Sequence, residues 1–451
     1  MGLEEELGSK ANWIHIDPPL MSMSSWTTVY KVKLPKDSRL LKKEVLTVNR
    51  QKIDEAGQKD KRKVEKESED LVFVKKVSAV KRVPHDPRSE IETLSNLNHP
   101  NIIKLLTSFQ PPKHSNFYLI FPLYKLTLHD LLNLNNPIFK PSPAPNKAIK
   151  SDFWEPKKSS TEIQSKMSDY FYRITRIIFK DLAGALNYLH GLGIGHRDLS
   201  PSNIALDFGF RAILLDFGTV WDPRFREQGG SKLDFELGTM PYRAPELLFG
   251  SQDYSVTGID LWSLGTILAE FFTPLEPIEE YHKRELSFQG DEYDNSKSQL
   301  SDNAFDWYCG GYGDNQKRSN KLRRRNLFRG DIGDIGLVGS IFKILGTPDN
   351  DSWPESKSLP DFSKLEFHKF EVKDLRDNLP YLHSVEDENK ESGNENNEIS
   401  LLIDLIKGLL KLSSSKRLKA DQVLEHPWLK DKKLDLDDYS KTEISKLWKT
   451  L

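Results

Sequence analysis

A single cysteine, Cys309, stands in a chain of 451 residues. One thiol excludes an intrachain disulfide framework and a cysteine-rich zinc site, and it fits a reducing compartment. Long apolar runs are missing as well: nothing approaches the ~18 consecutive apolar residues of a membrane-spanning helix. Nor does one sign of charge prevail, since 65 Lys and Arg stand against 67 Asp and Glu, for a formal net charge of −2. That balance removes any bulk electrostatic case for nucleic acid or an acidic lipid surface as partner. The N-terminus lacks the basic character of a secretory or organellar signal and carries Glu4–Glu6 instead. Glu6 also stands where a myristoylated Met-Gly start wants Ser or Thr. The expectation is a soluble protein of the cytoplasm or nucleus, with no membrane and no nucleic-acid partner. Hydrophobic residues at 37% suffice for a core, while 29% charged residues require much polar loop beside it.

The densest chemistry lies between Ile194 and Gly218. A polar loop leads into Ile204–Leu206, a tight turn at Phe208–Arg211, the apolar run Ile213–Leu215, and a second polar turn. Short apolar runs bounded by turn residues predict a hairpin. It carries a carboxylate, Asp198, and a carboxamide, Asn203, at one end and a second carboxylate, Asp216, at the other. One such group can orient a hydroxyl, and two can give oxygen to hard Mg²⁺ ions that bridge phosphates. His196-Arg197-Asp198-Leu199 with Asn203, followed by Asp216-Phe217-Gly218, resembles the catalytic and magnesium loops of eukaryotic protein kinases. The resemblance spans about residues 22–430. It implies an α+β, bilobal fold: a small antiparallel β-sheet lobe with one helix, a larger mainly α-helical lobe, and ATP between them. It implies ATP and Mg²⁺ as cofactors, Asp198 as catalytic carboxylate, and Asn203 and Asp216 as metal ligands. One departure is Ser200, where serine/threonine kinases usually place a lysine that contacts the γ-phosphate.

The resemblance also divides the chain. Residues 1–21 read as a leader and 22–123 as the small lobe with a charged insertion at 49–70. Residues 124–430 read as the large lobe, with polar insertions at 133–168, 276–326 and 384–398, and 431–451 as a charged tail. In the small lobe, Val29-Tyr30-Lys31 matches the end of a phosphate loop, so Ser22, Ser24 and Thr27 fall where kinases carry three glycines. Small hydroxyl residues keep part of the space that glycine leaves for close backbone approach to phosphate. Two lysines, Lys75 and Lys81, compete to hold the α/β-phosphates and pair with the helix glutamate, Glu90. A strand end, a turn with Pro84 and Pro87 and a first helical turn must fit between lysine and glutamate, which favours Lys75; Glu92 reads as solvent-facing. Phe117–Tyr124 reads as the strand entering the hinge. Phe121 would guard the back pocket, Pro122 would offer its carbonyl to adenine, and Tyr124 would offer both N–H and C=O.

In the large lobe, apolar residues from Tyr170 to Leu189 recur at helical spacing and predict an amphipathic helix over Ser168–Leu189. The segment Gly218–Glu246 resembles an activation segment. Cyclin-dependent kinases carry a phosphorylatable threonine where this chain has Asp234, so Asp234 reads either as a stand-in for the phosphate, with Arg197 receiving its charge, or as a solvated loop acid. Asp260 would brace the catalytic loop, and Glu246 would pair with Arg417. The basic cluster Lys317–Arg325 reads as a solvated loop. Leu345-Gly-Thr-Pro-Asp, Trp353-Pro and His426-Pro-Trp-Leu resemble the large lobe of cyclin-dependent and related kinases. Within that group, Pro84–Glu90 and Ala244–Gly250 are most similar to the single-subunit CDK-activating kinases of budding yeasts. The implied activity is transfer from ATP to the activation-loop threonine of a cyclin-dependent kinase, by a monomer that requires no cyclin subunit. Another kinase of the group with a different protein substrate, and a pseudokinase scaffold, remain as alternatives.

Overall fold

The computed structural model describes residues 21–24, 27–33, 71–111, 115–124, 126–133, 161–207, 209–225, 232–277, 322–331, 333–382 and 396–430. The expected leader up to residue 20, the insertion 49–70, most of the other insertions and the tail 431–451 lie outside them.

Alternation in Leu-Val-Phe-Val-Lys-Lys-Val-Ser explains how the small sheet is built. Strands β1 (Met21–Ser24), β2 (Thr27–Lys33) and β3 (Leu71–Ser78) pair antiparallel in succession. Successive strand side chains face opposite ways. Val72 and Val74 therefore join Tyr30, Val32, Phe109, Tyr118 and Ile120 in an apolar cluster on one face. The other face presents Phe73 and Lys75, with Val29 and Leu119 opposite Lys75 across the ladder. Helix α1 (Pro87–Ser95) starts where Asp86 accepts from Arg88 N–H and Ser89 N–H, with Pro87 inside the first turn. Strands β4 (Thr107–Phe109) and β5 (Asn116–Pro122) complete a five-stranded sheet of order β1-β2-β3-β5-β4.

The larger lobe is mainly helical. Strand β6 (Leu126–Thr127) and helix α2 (Leu128–Asn133) precede α3 (Thr161–Gly191). Helix α3 starts earlier than the expected Ser168, so the end of the expected insertion 133–168 is helical. Phe171, Ile174, Ile178, Leu182, Leu186 and Leu189 are buried along one stripe. Strands β7 (Ile204–Leu206) and β8 (Ala212–Leu214) form the anticipated hairpin and pair with β6. Asp207 closes its turn by accepting from Gly209 and Arg211 N–H.

Beyond it come α4 (Pro245–Leu248) and α5 (Val256–Glu270), the latter buried from Gly258 to Glu270. Strands β9 (Leu275–Pro277) and β10 (Leu322–Arg324) pair antiparallel, so the expected insertion 276–326 is clipped together at its base. Helices α6 (Gly333–Leu345), α7 (Asn396–Leu409) and α8 (Ala420–Leu424) complete the lobe, α7 beginning inside the expected loop 384–398. Helices α5 and α7 approach closely at Gly265, where a Cβ would lie 2.7 Å from Leu409 Cβ. No helix among the described residues is long and apolar enough to cross a membrane.

Candidate active site

Buried α5 supplies the anchor for the polar loop before β7. Asp260, 1% exposed, accepts from His196 N–H at 2.9 Å and from Arg197 N–H at 2.7 Å. These bonds hold Arg197 in the left-handed region, at φ 69°, which an arginine seldom adopts. Asp216, after β8, is also left-handed, at φ 50°. The two turns are tied by His196, whose Nε2 lies 2.7 Å from Leu215 O and whose ring meets Phe217 edge-on at 5.0 Å. Thr219 Oγ1 adds a bond to His196 O at 3.1 Å.

That frame fixes the carboxylate of Asp198 from both sides. Oδ1 accepts from the N–H and the hydroxyl of Thr239, each at 2.8 Å, and Oδ2 accepts from Asn203 Nδ2 at 3.0 Å. The Thr239 clamp was not foreseen, because a loop threonine has no periodicity to mark it. Across the cleft, Lys75 donates to both oxygens of Glu90, at 2.7 and 2.9 Å, and to Asp216 Oδ1 at 2.9 Å. Lys81 is 52% exposed and pairs with Asp86 instead.

Burial alone would lower the Lys75 ammonium, but Asp216 and Glu90 outweigh it and raise it above its ordinary value. Burial would raise the Asp216 carboxyl; the Lys75 ammonium and the Gly218 N–H prevail and bring it down to about 2. Glu90 is pushed up by burial, and Asp198 is raised by burial and by the charge of Asp216, which the Thr239 bonds offset only in part.

Between the lobes lies a cleft of about 890 Å³, open to solvent. Val29, Lys75, Glu90, Phe121, Pro122, Tyr124, Asn203 and Asp216 line it. Phe73, Leu94, Ile103, Leu123, Leu126, Thr127, Ala205 and Leu215 line it too and were not anticipated. Strand alternation could have found Phe73, two positions from Lys75 on the same face. Thr27 is buried and does not line the cleft, against the expectation; Ser22 and Ser24 lie on β1, their side chains outside the described residues. Asp198 sits beyond the lining, joined to it through Asn203.

Ser200, the departure from the family's lysine, is 1% exposed, and its hydroxyl has no hydrogen-bond partner among the described residues. One further expectation needs correction: among the described residues no ion pair joins Asp234 to Arg197. Arg197 Nε donates to Thr219 O at 2.7 Å and Nη1 to the Tyr254 hydroxyl at 3.2 Å. That hydroxyl in turn donates to the backbone carbonyl of Asp234 at 2.5 Å. A neutral tyrosine therefore bridges the loop to the arginine through the backbone of Asp234, whose charge acts on the tyrosine hydroxyl and makes no direct pair with Arg197.

The hairpin has oxygens to spare for a divalent cation. Asn203 spends its Nδ2 on Asp198, which leaves its carboxamide oxygen, and Asp216 takes Lys75 and Gly218 on Oδ1, which leaves Oδ2. These are hard oxygens side by side at the open end of one hairpin, where Leu215 N–H donates to Asn203 O at 2.8 Å. Among the described residues no cluster of three or more His, Cys, Asp or Glu could hold a metal. Two protein oxygens suit Mg²⁺, which keeps waters and substrate phosphates in its shell.

Beneath the activation segment, Glu270 Oε2 accepts from the Tyr242 hydroxyl at 2.6 Å, and Asn326 Nδ2 donates to the same hydroxyl at 3.0 Å. Burial raises the Glu270 carboxyl to about 7, with Tyr242, Arg323 and Arg324 opposing the rise. A carboxyl raised from its unfolded value of about 4.5 favours the fold below that pH. The contribution is lost as pH rises toward 7, a cost on the order of 3 kcal/mol at pH 8. Glu270→Gln, which keeps an acceptor for Tyr242, is expected to flatten this loss and to raise Tm at pH 8 but not at pH 4.5. Thermal unfolding across that range checks it.

The protein kinase domain family matches residues 59–429. Among solved structures, the yeast RNA Pol II CTD kinase CTDK-1 complex is similar, with a TM-score of 0.50 and 21% identity, covering 82% of this chain and 88% of that chain. At that identity the likeness speaks for the fold. The similar kinase is described as a complex, which overturns the expectation of a monomer that needs no cyclin subunit. Nothing in the structure shows a monomer.

Proposed function

Because the chain belongs to the protein kinase domain family, we propose that it transfers the γ-phosphoryl group of ATP to a serine or threonine hydroxyl. We infer as substrate the activation-loop threonine of a cyclin-dependent kinase. The observation that carries the reading is the three-way contact of Lys75 with Glu90 and Asp216 in the cleft, opposite a doubly clamped Asp198. The substrate inference rests on the likeness of Pro84–Glu90 and Ala244–Gly250 to CDK-activating kinases.

Each side chain has a task in such a transfer. Lys75, held protonated and aimed by Glu90, binds the α/β-phosphates. Asp198 accepts the hydrogen bond of the incoming hydroxyl and points its oxygen at the phosphoryl group. Its carboxylate cannot rotate away, because Thr239 holds one oxygen and Asn203 the other. Phe121, Leu126, Ala205 and Leu215 give adenine an apolar bed, with the backbone of Pro122 to Tyr124 beside it. Asn203 and Asp216 would hold Mg²⁺, which when bound neutralises charge on the phosphates.

The test incubates the purified chain with Mg-ATP and a cyclin-dependent kinase, free or cyclin-bound. Phosphate on the activation-loop threonine is the expected result. Phosphorylation of a general basic protein but not of that threonine would overturn the substrate inference. No transfer to either, with ATP binding unchanged by Asp216→Asn, would indicate a scaffold.

A further inference from the structure

Helix α1 has one task in this cleft, to keep Glu90 on Lys75, and its own packing does not explain how its two ends are fixed. Both ends are tied to the segment that follows Asp216. At the N-terminal end, Asp86 caps the helix with its side chain and donates its backbone N–H to Gly218 O at 3.1 Å. Toward the other end, Thr93 Oγ1 donates to Asp222 Oδ2 at 3.1 Å. Thr93 is 0% exposed and Asp222 1%. Thr93 lies three residues after Glu90, so the two project from the same face of the helix. One reaches Lys75 and the other reaches Asp222.

Asp222 is itself immobilised. Arg224 grips it with Nε and Nη2, at 2.9 and 2.6 Å, and adds its own N–H at 3.0 Å. Arg224 is partly exposed, so the carboxylate it holds is a fixed, charged acceptor buried under the helix. A hydrogen bond to a buried charge is worth more than one between neutral groups, and losing it leaves the charge short of a donor. The bond joins residues far apart in sequence, which a locally closed turn such as Asp222–Arg224 does not require.

We propose that Thr93 and Asp222 are positioning residues: their buried bond locks helix α1 to the segment Thr219–Phe225, so that Glu90 and Asp216 meet Lys75 together. This deepens the kinase reading and rests on it. When the lock is broken, α1 is free to shift outward, Glu90 leaves Lys75, and the ammonium is no longer aimed at the phosphates. The effect falls on ATP use and not on the protein acceptor.

The test uses the full chain with a general protein acceptor and measures kcat, KM for ATP, KM for the acceptor and Tm. Thr93→Val, which removes the hydroxyl at nearly constant volume, is expected to raise KM for ATP and to lower kcat/KM for ATP on the order of tenfold. KM for the acceptor should not move. Thr93→Ser keeps the donor and should restore both ATP parameters. Asp222→Asn, whose NH₂ must face donors of Arg224 on one side or of Arg224 and Thr93 on the other, is expected to raise KM for ATP as well and to leave KM for the acceptor unmoved. Wild-type ATP kinetics in Thr93→Val, whatever happens to Tm, would reduce the bond to packing. Should Thr93→Val fail to fold, Thr93→Ala, which also removes the donor, decides in its place: wild-type ATP kinetics there would overturn the lock. Absence of transfer by the wild-type chain would instead fail the kinase reading itself.

Discussion

Asp198→Asn is expected to lower kcat by about 10²–10⁴-fold, the usual range for removing a positioned acid–base group, and to leave ATP binding in place. The reason lies in where Asp198 stands. It does not line the cleft, so nucleotide affinity does not depend on it directly. Its two oxygens are both held by donors, Thr239 N–H and hydroxyl on one side and Asn203 Nδ2 on the other, with a lone pair of Oδ2 left for the incoming hydroxyl. An asparagine must turn its NH₂ toward one of them. If it faces Thr239, the side chain is pushed off its anchor by opposed donors. If it faces Asn203, that carboxamide loses its side-chain acceptor and keeps only the Asp198 backbone carbonyl. Either way the hydroxyl-orienting charge is gone and one neighbour is disturbed. Steady-state kinetics with a protein acceptor, beside a direct nucleotide-binding measurement, separate these effects. A kcat within about tenfold of wild type would remove Asp198 from the chemistry.

Much of this centre is legible in the sequence because its parts sit on regular elements or tight turns. The hairpin announces itself by two short apolar runs, and the choice of Lys75 over Lys81 follows from how much strand, turn and helix must fit before Glu90. Asp260 and the Glu246–Arg417 pair are visible through the family pattern around them. What stays hidden depends on contacts between distant loops. Thr239, Tyr254 and Thr93 each act through one hydroxyl donating across the fold, and no local pattern distinguishes such a hydroxyl from a solvated one. Asp234 misled for the same reason: its carbonyl, not its side chain, does the joining. Strands β9 and β10 are three residues each and pair across a long polar stretch, so neither carries a period that can be read.

Arg417→Ala is the substitution expected to cost the most stability, about 3–5 kcal/mol in urea unfolding, the range for breaking a buried ion pair from one side. Arg417 and Glu246 form a two-pronged pair, both bonds 2.7 Å, with side-chain exposures of 0% and 7%. The arginine also donates to the carbonyls of Gly258, Leu412 and Lys411, and it stacks over Trp262 at 5.2 Å. Alanine therefore strands a buried carboxylate and orphans backbone acceptors at once. Replacing both partners by apolar residues, Glu246→Leu with Arg417→Met, relieves the first problem and not the second. The double variant should thus recover part of the loss and remain below wild type. The pair also matters to the reaction, because Glu246 lies in α4, where the segment that brings Thr239 to Asp198 ends. In conditions where Arg417→Ala stays folded, kcat should fall while KM for ATP holds, since the cleft lining contains neither residue. A destabilisation below about 1 kcal/mol, typical of an exposed pair, would show that the buried bonds are replaced on substitution.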